Sequence, residues 1–167
     1  MRQSADDPYT YFHVGATHDE VLPAGYTHVR RSAVLGHGEH VFTRASRELM
    51  GWEVQRRSGL TVRSVEPVTA DEIVWMGRAL GPVKVGFRCR VVDVVDEPRR
   101  KGFSYGTLRG HPEKGEEAFT VVWREDDTVE LQVVAFSQPA AWWARIGGPA
   151  GRVVQTWMTD RYLKALS

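Results

Sequence analysis

Cysteine is nearly absent: the 167-residue chain has one, Cys89. An internal disulfide framework and a cysteine-built zinc cage are therefore excluded. An excess of either charge is lacking too, since 22 Lys and Arg against 21 Asp and Glu leave a formal charge of +1. A dedicated nucleic-acid binder carries a basic excess, so no nucleic-acid partner is expected. The basic clusters Arg30-Arg31, Arg56-Arg57 and Arg99-Arg100-Lys101 are short and dispersed, as solvated turns and strand edges are. No apolar run approaches the roughly 20 residues needed to cross a bilayer, so no transmembrane segment is expected. Met1 to Tyr9 carries two aspartates and no apolar core, unlike a signal peptide. The expectation is a reduced, cytoplasmic protein without internal repeats.

An apolar fraction of 42% over this length suits one domain with a real core, residues 1–167. Residues 1–25 read as an N-terminal arm laid across the domain and anchored by Tyr11, Phe12 and Val14; residues 26–167 form the body. Tyr26 to Leu35 alternates as a first strand, with Arg31 on its inward face. A helix follows from Glu39 to about Arg57, with Phe42, Ala45, Leu49 and Trp52 at helical spacing, a bend at Gly51 and a stop at Gly59. The period then becomes two. Strands are expected over Leu60–Glu66, Glu72–Leu80, Val83–Asp96, Gly102–Leu108, Glu116–Glu125 and Thr128–Ser137. Short turns between consecutive strands imply an antiparallel sheet. Pro139 is placed to open a helix bearing Trp142, Trp143 and Ile146, capped by Ser137. Gly147-Gly148-Pro149 interrupts it, and a broad apolar stripe continues from Ala150 to Leu166.

The predicted class is α+β: a curved antiparallel sheet of about seven strands wrapped around a long C-terminal helix, with one further helical segment after the first strand. This order resembles the helix-grip architecture of the START and Bet v 1-like superfamily, which implies a cavity between sheet and helix. The wording is more specific. Val14-Gly-Ala-Thr17, Leu22-Pro-Ala-Gly-Tyr26, Val95-Asp-Glu-Pro98, Gly102-Phe-Ser-Tyr-Gly-Thr-Leu108, Gly110-His-Pro-Glu113, Gly115-Glu-Glu-Ala-Phe119 and Phe136-Ser137 occur in this order along nearly the whole chain. They resemble a bacterial and plant family catalogued as a domain of unknown function, number nineteen-ninety in its series. The resemblance implies one domain and a shared site, and no reaction.

The chemistry concentrates between Gly102 and Trp123. Glu117, Phe119, Val121 and Trp123 share one face of a strand, and that face is the more apolar and should point inward. Glu117 there is either a desolvated acid or base with a raised pKa, or an ion pair with Arg109 or another arginine. His111, in a loop between Gly110 and Gly115, is either a proton carrier at a pocket mouth or a loop-fixing partner of Glu113. Tyr105 either orients a polar ligand atom or packs as core. Gly102-Phe-Ser104-Tyr-Gly106 matches G-x-S-x-G, but a nucleophile elbow needs a strand-to-helix turn, which is missing. His37 and His40 lack a third ligand, so no metal is expected. No cofactor is expected either.

The leading expectation is a module binding an apolar or aromatic small molecule. Phe119, Trp123 and Trp157 would form walls, and Tyr105, His111, Glu113 and Glu117 would supply polarity. An enzyme of cyclase, dehydratase or hydrolase type, with Glu117 and His111 as the catalytic acid and base, is the second. An interaction domain whose cavity is filled by side chains is the third. Self-association is left open.

Overall fold

The computed structural model describes residues 7–80, 82–140 and 148–167. After a short 3-10 turn at Ala16–His18 come β1 (Thr27–His37), α1 (Glu39–Met50), α2 (Glu53–Arg57), β2 (Thr61–Arg63), β3 (Ile73–Leu80), β4 (Val83–Glu97), β5 (Arg100–Thr107), β6 (Glu113–Trp123), β7 (Thr128–Pro139) and α3 (Gly148–Lys164). The strands form one antiparallel sheet in the order β1-β7-β6-β5-β4-β3-β2, so the first strand closes against the last. Register shifts in β1 between Val34 and Gly36, and in β4 between Val91 and Asp93, help bend the sheet. No described helix is long and apolar enough to cross a membrane.

The concave face carries the main core. Val74 and Met76 on β3, Cys89 and Val91 on β4, Phe103 and Tyr105 on β5, Phe119 and Val121 on β6 and Val129, Leu131 and Val133 on β7 are all buried there. Alternation at period two sends these side chains to one face, and full burial of each large one is worth about 1.5–3 kcal/mol. The apolar stripe of α1, Phe42, Ala45 and Leu49, closes this core from one side. Tyr162 and Leu163 of α3, with Leu166 just beyond it, close it from another, with Tyr162 edge-on to Phe119 at 5.1 Å between ring centroids. Arg31 reaches from β1 to pair with Asp160 of α3.

The expected bend at Gly51 is a full break. Gly51 and Trp52 separate two helices, and Trp52 takes the left-handed conformation at φ 62° with its indole fully buried. A left-handed non-glycine residue costs on the order of 1–3 kcal/mol, which the buried indole offsets. Pro139 corrects another expectation: it ends β7, opposite Glu113, and Ser137 is a strand residue rather than a cap. Trp142, Trp143 and Ile146 lie outside the described residues, as do the side chains of Ala150, Val153 and Val154.

The arm lies across the convex face, and of its three expected anchors Tyr11 alone is buried. Tyr11, Ala16 and Leu22 are buried against Phe136, whereas Phe12 is 96% exposed and Val14 45% exposed. The polar anchor is Glu116. Its carboxylate accepts Tyr11 Oη–H at 2.7 Å, the Gly15 N–H at 2.7 Å, the Thr17 N–H at 3.2 Å and the Thr17 hydroxyl. Gly106 makes room for this: a Cβ there would lie 2.0 Å from Tyr11 Oη.

Candidate functional site

β5 and β6 place the site, because their register sets Tyr105 directly opposite Glu117 on the concave face. Tyr105 Oη donates to Glu117 Oε2 at 2.7 Å. The Tyr162 hydroxyl of α3 bonds to Tyr105, so one polar chain links helix and sheet inside an aromatic setting. Phe119 is fully buried beside it, 5.8 Å from Tyr105, and Trp52 lies 5.8 Å from Tyr105 on its other side, centroid to centroid. The arginine partner weighed for Glu117 is not used, and Arg109 is exposed.

Burial pushes the Glu117 carboxyl up to about 7; the Tyr105 hydrogen bond works against this and the Glu113 charge adds to it. Glu113, which bonds to Ser137, is also raised by burial. Burial raises both tyrosines far above the usual phenol range and raises the Cys89 thiol, with the Glu117 charge adding to each. Glu117 is therefore deep, yet it keeps accessible surface, which its neighbour Phe119 does not. Glu113 and His111 are half-buried in the same way.

His111 sits at the loop end of this face. The Glu113 N–H donates to its Nδ1 at 2.9 Å, and its ring meets Phe87 edge-on at 4.5 Å. Burial pushes its pKa down to about 4, so the imidazole is neutral at pH 7. Tyr105, His111, Glu113, Glu117 and Phe119 thus belong to one stretch of the concave face.

The two tryptophans do not join them. Trp123 is at the far end of β6, about 20 Å along the strand from Glu117. It stacks on Phe42, bonds to Asp127 at 2.9 Å and carries the Arg99 guanidinium 4.3 Å from its ring. With Arg99, Arg124, Glu125 and Asp126 it lines an open depression of about 510 Å³. Trp157 of α3 is 43% exposed, between the guanidinium groups of Arg78 at 4.5 Å and Arg161 at 4.9 Å. Ser104 is fully buried mid-strand on the other face, so G-x-S-x-G forms no elbow. Two participants escaped the sequence reading. Tyr162 looked like one more apolar stripe position. Trp52, with its indole N–H fully buried and unpartnered, looked like helix core.

Comparison with known proteins places this geometry. A family model described as "Domain of unknown function (DUF1990)" matches residues 10–165. A UPF0548 protein of Deinococcus radiodurans is 29% identical over 99% of this chain and 89% of its own length. A UPF0548 protein of Dictyostelium discoideum is 37% identical over 38% of this chain, which spans only 32% of that protein. Among solved structures, hypothetical protein jhp0584 from Helicobacter pylori superposes with a TM-score of 0.65 at 8% identity, over 84% of this chain and 85% of that one. Norcoclaurine synthase from Thalictrum flavum, solved in complex with dopamine and hydroxybenzaldehyde, superposes with a TM-score of 0.53 at 13% identity, over 83% and 85%. At such identities the likeness is one of fold, which is Bet v 1-like.

Proposed function

The chain belongs to the DUF1990 family, and we propose that it binds a small apolar or aromatic molecule between the concave face of the sheet and the C-terminal helix α3. The observation that carries this reading is Glu117: a carboxyl deep in an aromatic wall, hydrogen-bonded on one side and still open to solvent on another. Pockets for small molecules are mostly apolar with a few convergent polar groups, and Phe119 with Tyr105, Tyr162, Glu117, Glu113 and His111 has that make-up. Trp157 and Trp123 lie apart from these groups and are not walls of the proposed pocket. The aromatic ligands held by norcoclaurine synthase belong to that enzyme, but they support the capacity of the frame.

A second reading is an enzyme on the same frame, and one observation favours it. A carboxyl titrating at about 7 is poised to give and take protons at neutral pH. In this reading Glu117 is the acid or base and Tyr105 orients it. His111, neutral at pH 7, contributes a hydrogen bond rather than a charge.

Native mass spectrometry of the freshly expressed chain tests the binding reading. A retained small molecule, released on activation and displaced by Nile red, is the expected result. Bare protein that also fails to take up Nile red refutes it.

A further inference from the structure

Among the described residues Glu117 has one donor, Tyr105, whereas an ionised carboxylate has about four acceptor positions. Its surroundings are known on every described side: Tyr105 from β5, Cys89 from β4, Tyr162 from α3 and Glu113 from its own strand. Among the described residues no lysine or arginine faces it, and His111 is held neutral. Other carboxylates of this protein are treated differently. Glu130 is paired with Arg124 at 2.6 Å and held below the ordinary range by that contact. Glu66 has Arg56, Asp160 has Arg31, and Glu116 has four donors. A buried carboxylate without a counter-charge is costly, and a cation brought by the ligand removes that cost.

The flanking surface suits a cation as well. The rings of Tyr105, Tyr162 and Phe119 stand around Glu117, and aromatic faces attract ammonium groups. Glu113 adds negative potential from about 13 Å along the same strand face. A second, independent observation lies one ring away. The Trp52 indole N–H, fully buried in a ring packed on Tyr105 and held on a left-handed backbone, has no partner among the described residues. A carboxylic acid ligand would instead meet Glu117 and Glu113 as like charges.

We propose that the ligand is a protonated amine with an aromatic or apolar body, its nitrogen on Glu117 and its body along the Tyr105, Phe119 and Tyr162 side of the cleft. This rests on the reading that the concave face binds a small molecule. Ammonium binding and Glu117 ionisation are then linked: affinity rises with pH as Glu117 loses its proton, while the amine stays charged to about pH 10.

The test uses the full chain with three isosteric probes: 2-phenylethylamine, 2-phenylethanol and phenylacetate. Affinity is measured by titration calorimetry near pH 8 and near pH 5.5. The amine should bind at least about tenfold tighter than the alcohol near pH 8, and the preference should shrink near pH 5.5. Glu117→Gln should abolish the preference and leave the alcohol within about threefold. The wild-type pH dependence stands even if that variant misfolds. Equal binding of amine and alcohol, or tighter binding of phenylacetate, overturns the amine inference alone. If no probe binds, the alcohol included, and Nile red is not taken up, the small-molecule reading falls with it.

Discussion

Replacing Glu116 by glutamine is the sharpest test of how the arm is held. Oε1 takes the two Thr17 donors, and Oε2 takes Tyr11 Oη–H and the Gly15 N–H. Whichever oxygen becomes an amide NH₂, two buried donors then meet a donor. The other two bonds fall from charge-assisted to neutral, roughly half the strength. Bonds to charged groups contribute about 1.5–3 kcal/mol each, and an orphaned buried donor costs about 1–3 kcal/mol. A total of about 3–5 kcal/mol is expected, which for a chain of this length lowers the melting temperature by about 6–20 °C. Thermal unfolding followed by circular dichroism gives the magnitude. Amide exchange at Gly15 and Thr17 gives the location, since both N–H groups should lose protection. Tyr11→Phe alone should cost about 1.5–3 kcal/mol and much less in the Glu116→Gln background, because the two share one bond. A Glu116→Gln protein within about 0.5 kcal/mol of wild type, with unchanged exchange at both amides, would refute the clasp.

Two further outcomes are expected. Glu117 and His111 bend the pH–stability curve in opposite senses: with its folded pKa raised to about 7, Glu117 contributes stability that is complete below its unfolded value of 4.5 and lost as pH rises towards 7. His111, depressed to about 4 from 6.5, contributes stability that is complete above 6.5 and lost as pH falls towards 4. Glu117→Gln should therefore flatten the fall between about pH 5 and pH 7, as read by denaturant melts, and an unchanged slope contradicts the burial argument. Gly115→Ala places a Cβ 1.9 Å from the Phe136 carbonyl oxygen on a backbone at φ 154° and should cost at least about 2 kcal/mol; a neutral result in the same melts would mean β6 and β7 are not in this register.

Much of the fold is written in periodicity. The switch from helical to twofold spacing after Gly59 marks where β2 begins, and the inward sets of β4, β6 and β7 follow the alternation. Other features are set by contacts that spacing does not encode. Glu116 alternates outward, away from the core face, yet it is buried, because a segment about 100 residues earlier in the chain covers it. Phe12 looks like the better anchor by hydrophobicity, but Tyr11 has the hydroxyl that Glu116 needs and is the one buried. Trp75 shows a signal that was available: its ring lies on the convex face over Gly77 and Gly86, and Cβ atoms there would fall 2.6 and 2.5 Å from it. Two glycines paired across β3 and β4 mark the place where a large ring lies flat.

The adjacent pair Glu116 and Glu117 shows why residue type alone does not define a site. One residue apart on a strand, they point to opposite faces, Glu116 buried and Glu117 half-buried. Glu116 is saturated by four donors, so no further partner has a place on it. Glu117 has one donor, a raised pKa and an open side. Folding has satisfied the first carboxylate and left the second to be satisfied by something else. The distinction predicts which variant loses what: a change at Glu116 acts on stability and leaves ligand preference intact, whereas a change at Glu117 acts on ligand preference and flattens the pH–stability curve. If Glu116→Gln, still folded, altered amine selection as strongly as Glu117→Gln, the two faces of the sheet would not be doing separate jobs.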